Sequence, residues 1–106
     1  MAKLTVLFLD SVTKAIQKLN PIDQAKIAAS VAMLSAGDFE STYIKPIKGV
    51  IRELIVRRER LLFFLKGDTV YFVSIFRKQS AKTPKREILH AENIYKTIQQ
   101  KDKKRN

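Results

Sequence analysis

The run Phe76-Arg77-Lys78-Gln79-Ser80-Ala81-Lys82-Thr83-Pro84 ends an apolar segment and sets three cations just ahead of a helix start. Sites are commonly assembled where strands end, and cations gathered there suit a phosphate. A second group, Lys48, Arg52, Arg57, Arg58 and Arg60, lies earlier in the chain. Like charges repel, so crowding this many into one region lowers stability unless an anion offsets them. A solvated basic edge that keeps strands from aggregating is the other reading of the same residues.

The charge of the whole chain is lopsided in the same sense. Residues 1–44 hold four cations, Lys3, Lys14, Lys18 and Lys26, against the acids Asp10, Asp23, Asp38 and Glu40. Residues 45–106 hold the other 17 basic residues against six acids, so the formal charge of +11 belongs to them. A basic half joined to a neutral half predicts a surface for a polyanion, of which nucleic acid is the commonest in a cell.

The elements that must position these cations follow from periodicity. Leu4 to Leu9 is a short apolar run suited to a strand, with Asp10 or Ser11 able to cap a following helix. Val12, Ala15, Ile16 and Leu19 form one helical face. Asn20-Pro21 starts a second helix, with Asn20 as N-cap and Asp23 in the first turn; Ile27, Val31 and Leu34 are its buried stripe, and Gly37 ends it. After a polar loop, residues 50–57 and 60–66 read as strands joined by a reversal at Arg58-Glu59. Lys66-Gly67-Asp68-Thr69 reads as a tighter hairpin, and Thr69 to Phe76 as the last strand. If that hairpin pairs as its turn suggests, Arg60 comes close to Lys78. Ile88, Ala91, Tyr95 and Ile98 mark a last helix, followed by a basic tail over residues 101–106. The expectation is a single domain over residues 1–100 with an α+β fold, its mostly antiparallel sheet packed by two N-terminal helices, plus a C-terminal helix.

Composition removes several kinds of chemistry. Without cysteine there is no disulfide, thiolate nucleophile or Cys-based zinc site, which favours the cytoplasm over an oxidising compartment. Asp10 interrupts the N-terminal apolar run after six residues, unlike a signal peptide, and no segment reaches the length of a membrane span. No spacing of His, Asp and Glu suggests a metal site, and no cofactor is implied. His90, off the apolar stripe of the last helix, reads as an exposed residue, with general acid as the alternative. Glu53, a carboxylate among arginines, reads as an ion-pair partner, with general base as the alternative. Tyr71 and Tyr95 sit in packing patterns, while either could also stack on a base.

Three segments together resemble a known family: Ile51-Arg52-Glu53-Leu54-Ile55-Val56, then Arg60-Leu61-Leu62-Phe63-Phe64, then Phe76 to Pro84 with Glu87-Ile88 and Ala91 beyond. They are similar to the phage-associated HigB-like branch of the RelE/ParE toxin superfamily, where a Trp-Glu-Leu-Arg strand leads to an Arg-Val-Leu-Tyr-like strand and a Phe-x-Lys-Lys-Thr-x-Lys-Thr-Pro element. Ile55 stands where that branch has its arginine, Arg52 where it has an aromatic residue, and Gln79-Ser80 where it has Lys-Thr.

The resemblance implies a small RelE-like fold and a ribosome-dependent mRNA endonuclease, held inactive by a cognate antitoxin of helix-turn-helix type in a hetero-oligomer. Such an enzyme cuts RNA without metal by letting the 2′-hydroxyl attack the adjacent phosphate, and the protein positions the strand and stabilises charge. By the same resemblance Arg60 and Lys78 contact the scissile phosphate, Lys78 being also a candidate for proton transfer. Arg57, two residues beyond Ile55 and expected on the same strand face, stands in for the missing arginine. Lys48, Arg52, Arg77, Lys82 and Lys85 are the expected RNA contacts. A non-enzymatic RNA or ribosome ligand, or a gyrase-directed toxin of the same fold, is the alternative.

Overall fold

The computed structural model describes residues 3–104, which run as β1 (Thr5–Phe8), α1 (Asp10–Gln17), α2 (Pro21–Ser35), β2 (Ile44–Lys48), β3 (Ile51–Val56), β4 (Glu59–Lys66), β5 (Thr69–Arg77) and α3 (Lys85–Lys104). The strands form one sheet in the order β1-β5-β4-β3-β2, in which β1 is parallel to β5 and the other pairs are antiparallel. Asn20 caps α2 as expected: its Oδ1 accepts from the Asp23 N–H at 2.8 Å, and Pro21 fills the first helical turn, where its missing N–H costs no bond. No side chain caps α1, whose N-cap is Leu9 rather than Asp10 or Ser11. Helix α3 continues through Lys104, so Lys101 to Lys104 are helical rather than a frayed tail, and residues 105 and 106 lie outside the described residues.

The sheet is covered on both faces. Val12, Ile27 and Leu34 of the first two helices pack on Leu54, Val56, Leu61, Phe63, Val70 and Phe72. On the other side Ala91, Ile94, Tyr95 and Ile98 of α3 pack on Ile51, Leu62, Phe64 and Val73. Phe63, Phe64 and Phe72 have no exposed surface. At about 1.5–3 kcal/mol for each such burial, the middle strands β4 and β5 are the rigid centre on which the site is built. Tyr71 and Tyr95 both pack on Phe64, with ring centroids 5.3 and 4.9 Å away, which accounts for them as core residues.

β2 falls where the sequence predicts a polar loop. It is a short edge strand containing Pro46, and its register shifts between Pro46 and Lys48, so the strict alternation that marks a strand is lost.

A second irregularity matters more for function. From the Gly67 turn, Lys66 to Phe63 pair in strict succession with Thr69 to Phe72, but Leu62 then pairs with Ser74 rather than Val73. This one-residue bulge reverses the facing of the rest of β5. Without it Arg60 would pair with Ile75; with it Arg60 pairs with Phe76 and Glu59 with Arg77. Phe76 and Lys78 are thereby carried to the α3 face and Arg77 to the α1–α2 face.

Candidate nucleic-acid interface

A groove of about 960 Å³ opens on the α3 face at the end of the sheet. Its floor is Glu53 and Ile55 of β3, Arg60 of β4 and Phe76 of β5; Lys45 of β2 forms one wall, and the loop from Lys78 to Pro84 with Lys85 and Arg86 forms the other. Ile55 and Arg60 are register partners, so their side chains share this face. Arg60 and Lys78 both line this groove, and it is the bulge, not the turn-directed pairing alone, that puts them on one face.

Arg60 is not a surface arginine. Its side chain is only 12% exposed, and Nη1 donates to the carbonyls of Arg57 (2.8 Å) and Glu59 (3.0 Å). Nε lies 3.9 Å from Glu53 Oε1, and Nη2 has no partner among the described residues. An arginine fixed at one end with donors free at the other is set to meet an oxyanion without losing much side-chain freedom. Around it Lys45, Lys78, Lys82 and Lys85 have no carboxylate partner among the described residues.

Glu53, 4% exposed, ties the groove together. Its Oε2 accepts from Thr83 Oγ1 at 2.7 Å while Oε1 faces Arg60, so one carboxylate holds both the floor arginine and the end of the lysine loop. Ser74 Oγ donates to Glu87 at 2.5 Å and fixes the first turn of α3 beside that loop. The Lys-Thr-Pro sequence thus acquires a physical sense: the threonine latches the loop to the sheet, and the proline precedes the helix. Thr83→Val should speed amide exchange in residues 78–83 and cost about 1–2 kcal/mol of stability, the range for a bond to a charged acceptor. Unchanged exchange would show that Glu53 only neutralises Arg60 and does not organise the loop.

Arg57 is elsewhere. It does not share the face of Ile55, because β3 ends at Val56 and Arg57 opens the turn in left-handed conformation, φ 57°. Its Nε is 2.7 Å from Asp23 Oδ1 on the α1–α2 side, an ion pair lacking hydrogen-bond alignment. The reversal is Arg57-Arg58 rather than Arg58-Glu59, since Glu59, 3% exposed, is drawn into β4 by its bond to Arg77 Nε at 3.1 Å. Arg60 is therefore the only arginine of the groove floor among the described residues, with Ile55 beside it and Arg86 on the loop wall.

The other candidates divide. Lys82 and Lys85 line the groove. Arg77 borders it, but its guanidinium turns to Glu59 and, at 3.9 Å, to Asp23 on the opposite face. Lys48 pairs with Glu92 of α3 at 3.4 Å, outside the groove, and Arg52 is exposed on the face of Leu54. His90 is an exposed residue of α3 whose Nε2 lies 3.2 Å from the Val73 carbonyl. Sequence reading missed Lys45 and Arg86. Lys45 faces Glu53 across the β2–β3 ladder, which only recognition of β2 as a strand could have revealed. Among the described residues no three His, Asp or Glu side chains converge as a metal site, and no helix is long and apolar enough to cross a membrane.

Solved structures share this architecture. The chain superposes on the RelB–RelE antitoxin–toxin complex from Methanococcus jannaschii with a TM-score of 0.59 and 19% identity, over 67% of this chain and 88% of that one. The RelBE2 toxin–antitoxin complex from Mycobacterium tuberculosis gives 0.60 and 19%, over 73% and 100%. At that identity the likeness establishes a RelE-like α+β fold. No curated protein sequence matches the chain significantly. The family model described as phage-derived protein Gp49-like (DUF891) matches residues 14–96, a span that takes in the sheet end, the lysine loop and the first part of α3. The chain belongs to the Gp49-like family of phage-derived proteins.

Proposed function

We propose that this protein is the toxin of a type II toxin–antitoxin system, of the HigB-like branch, and that its groove cleaves translated mRNA at the ribosome. The observation that carries the proposal is Arg60, tethered by backbone carbonyls on the groove floor and ringed by unpaired lysines. In the reaction the RNA 2′-hydroxyl gives up its proton to water as its oxygen attacks the adjacent phosphorus, and the bond to the 5′-oxygen breaks, leaving a 2′,3′-cyclic phosphate and a 5′-hydroxyl. Arg60 holds the non-bridging oxygens as charge builds on them. Lys78 stands at the scissile phosphate beside it and can supply the proton taken up by the leaving oxygen, while Lys82 and Lys85 hold neighbouring phosphates. The partner that silences it is an antitoxin, of helix-turn-helix type and forming a hetero-oligomer, and the site of action is the cytoplasm. The relatives of like fold are themselves toxins seen with antitoxins.

Ile55 favours one other reading, a groove that binds RNA or the ribosome without cutting, because it removes a cation from beside Arg60. Induced expression without an antitoxin separates the two. We expect growth arrest, with primer extension on a translated message showing new ends that vanish when initiation is blocked. Intact mRNA with tight RNA binding would establish the non-enzymatic ligand, and intact mRNA with blocked supercoiling would point to gyrase.

A further inference from the structure

Three hairpin turns in this sheet place a left-handed residue at the first position after a strand. Glycine does so at Gly49 (φ 55°) and Gly67 (φ 58°); at the third, an arginine does, Arg57 (φ 57°). An arginine in that region is strained by its Cβ, so something else in the fold must hold it. What touches it is Asp23, whose carboxylate is buried at 7% exposure and meets Arg57 Nε at 2.7 Å. Asp23 is itself fixed at the start of α2, with Oδ2 accepting from Asn20 Nδ2 at 2.9 Å and the backbone N–H bonded to Asn20 Oδ1. The carbonyl that this conformation presents accepts from Arg60 Nη1 at 2.8 Å.

We propose that Asp23 is a positioning residue for Arg60: it anchors the Arg57 guanidinium on the α2 side of the sheet, which holds the Arg57 backbone left-handed and aims its carbonyl at Nη1 of Arg60 on the groove side. Asp23 touches no RNA. The inference rests on the reading of the groove as an RNA site, and it names a residue on the opposite face that sets the geometry there. It also gives the displaced Arg57 a role, through its backbone rather than its charge.

Simple electrostatics and this relay predict opposite signs, which makes the test sharp. Asp23→Asn removes a negative charge from a strongly basic protein, so charge alone should tighten binding to RNA. Through the relay the same change weakens it. With a short single-stranded RNA whose 2′-hydroxyls are methylated as the probe, we expect Kd to rise roughly threefold or more, the size of a coupling between residues in contact. In an Arg60→Ala background Asp23→Asn should have no further effect. Adding Arg57→Asn, a residue that adopts the left-handed region readily, should recover part of the affinity lost in Asp23→Asn. Nitrogen-15 NMR of the arginine side chains supplies a readout independent of RNA: the slowly rotating Arg60 guanidinium of the native protein should become averaged in Asp23→Asn while melting remains cooperative. Unchanged Arg60 resonances, or tighter RNA binding in Asp23→Asn, overturns the relay. If Arg60 responds as expected but the native protein does not bind the probe, positioning stands and the assignment of the groove to RNA fails instead.

Discussion

Arg60→Ala should lower RNA cleavage by roughly 10²-fold or more, the loss typical when one preorganised donor to a developing oxyanion is removed. The substitution deletes the one guanidinium on the groove floor: Arg57 and Arg77 both turn toward Asp23 and away from the groove, and Arg86 stands on the loop wall rather than the floor. Its effect on folding is smaller but real, because Arg60 is 12% exposed and faces buried Glu53. Glu53 keeps its bond from Thr83, so the cost in stability should be about 1–2 kcal/mol. Arg60→Lys retains charge but cannot both hold the two carbonyls and present a second pair of donors, so it should recover only a minor part of the activity. Cleavage assayed beside circular dichroism decides: a folded Arg60→Ala that still cuts at the native rate removes Arg60 from the reaction.

Much of this arrangement was legible in the residues, and what was not has identifiable causes. The helical stripes Val12-Ile16-Leu19, Ile27-Val31-Leu34 and Ala91-Tyr95-Ile98 all lie against the sheet, because burial of an apolar stripe is what fixes a helix face. The Gly67 turn was legible because glycine at a hairpin has a conformational reason. The Arg57 turn was not, because its left-handed residue is an arginine held by a contact 34 positions away in the chain, a tertiary effect with no local signature. That one turn moved the reversal by a residue and took Arg57 out of the site. β2 was hidden by Pro46 and a register shift, and Lys45 with it. The bulge at Val73-Ser74 is equally silent in the sequence, yet it decides which of Arg77 and Lys78 faces the groove. The cluster was thus readable as a composition, while the assignment of each cation to a face needed the backbone.

The apolar Ile55 beside Arg60 makes a gain of function the complementary test. Ile55 lies directly across the β3–β4 ladder from Arg60, on the groove floor, and half-buried. Cross-strand partners have β-carbons about 4.5–5.5 Å apart, so an arginine at 55 brings its guanidinium within reach of a phosphate held by Arg60. Without ligand, two arginines side by side repel, and like charges directly opposite cost up to about 1 kcal/mol. Glu53, two residues earlier on the same face, offsets part of that. With RNA bound the second guanidinium should contribute about 1–3 kcal/mol, so attraction exceeds repulsion and Kd should fall roughly tenfold. The slope of log K against log salt should steepen by about one, the signature of one additional phosphate contact. If Ile55→Arg folds normally and neither affinity nor salt slope changes, no phosphate passes over the β3–β4 floor, and the lysine loop alone must carry whatever this groove binds.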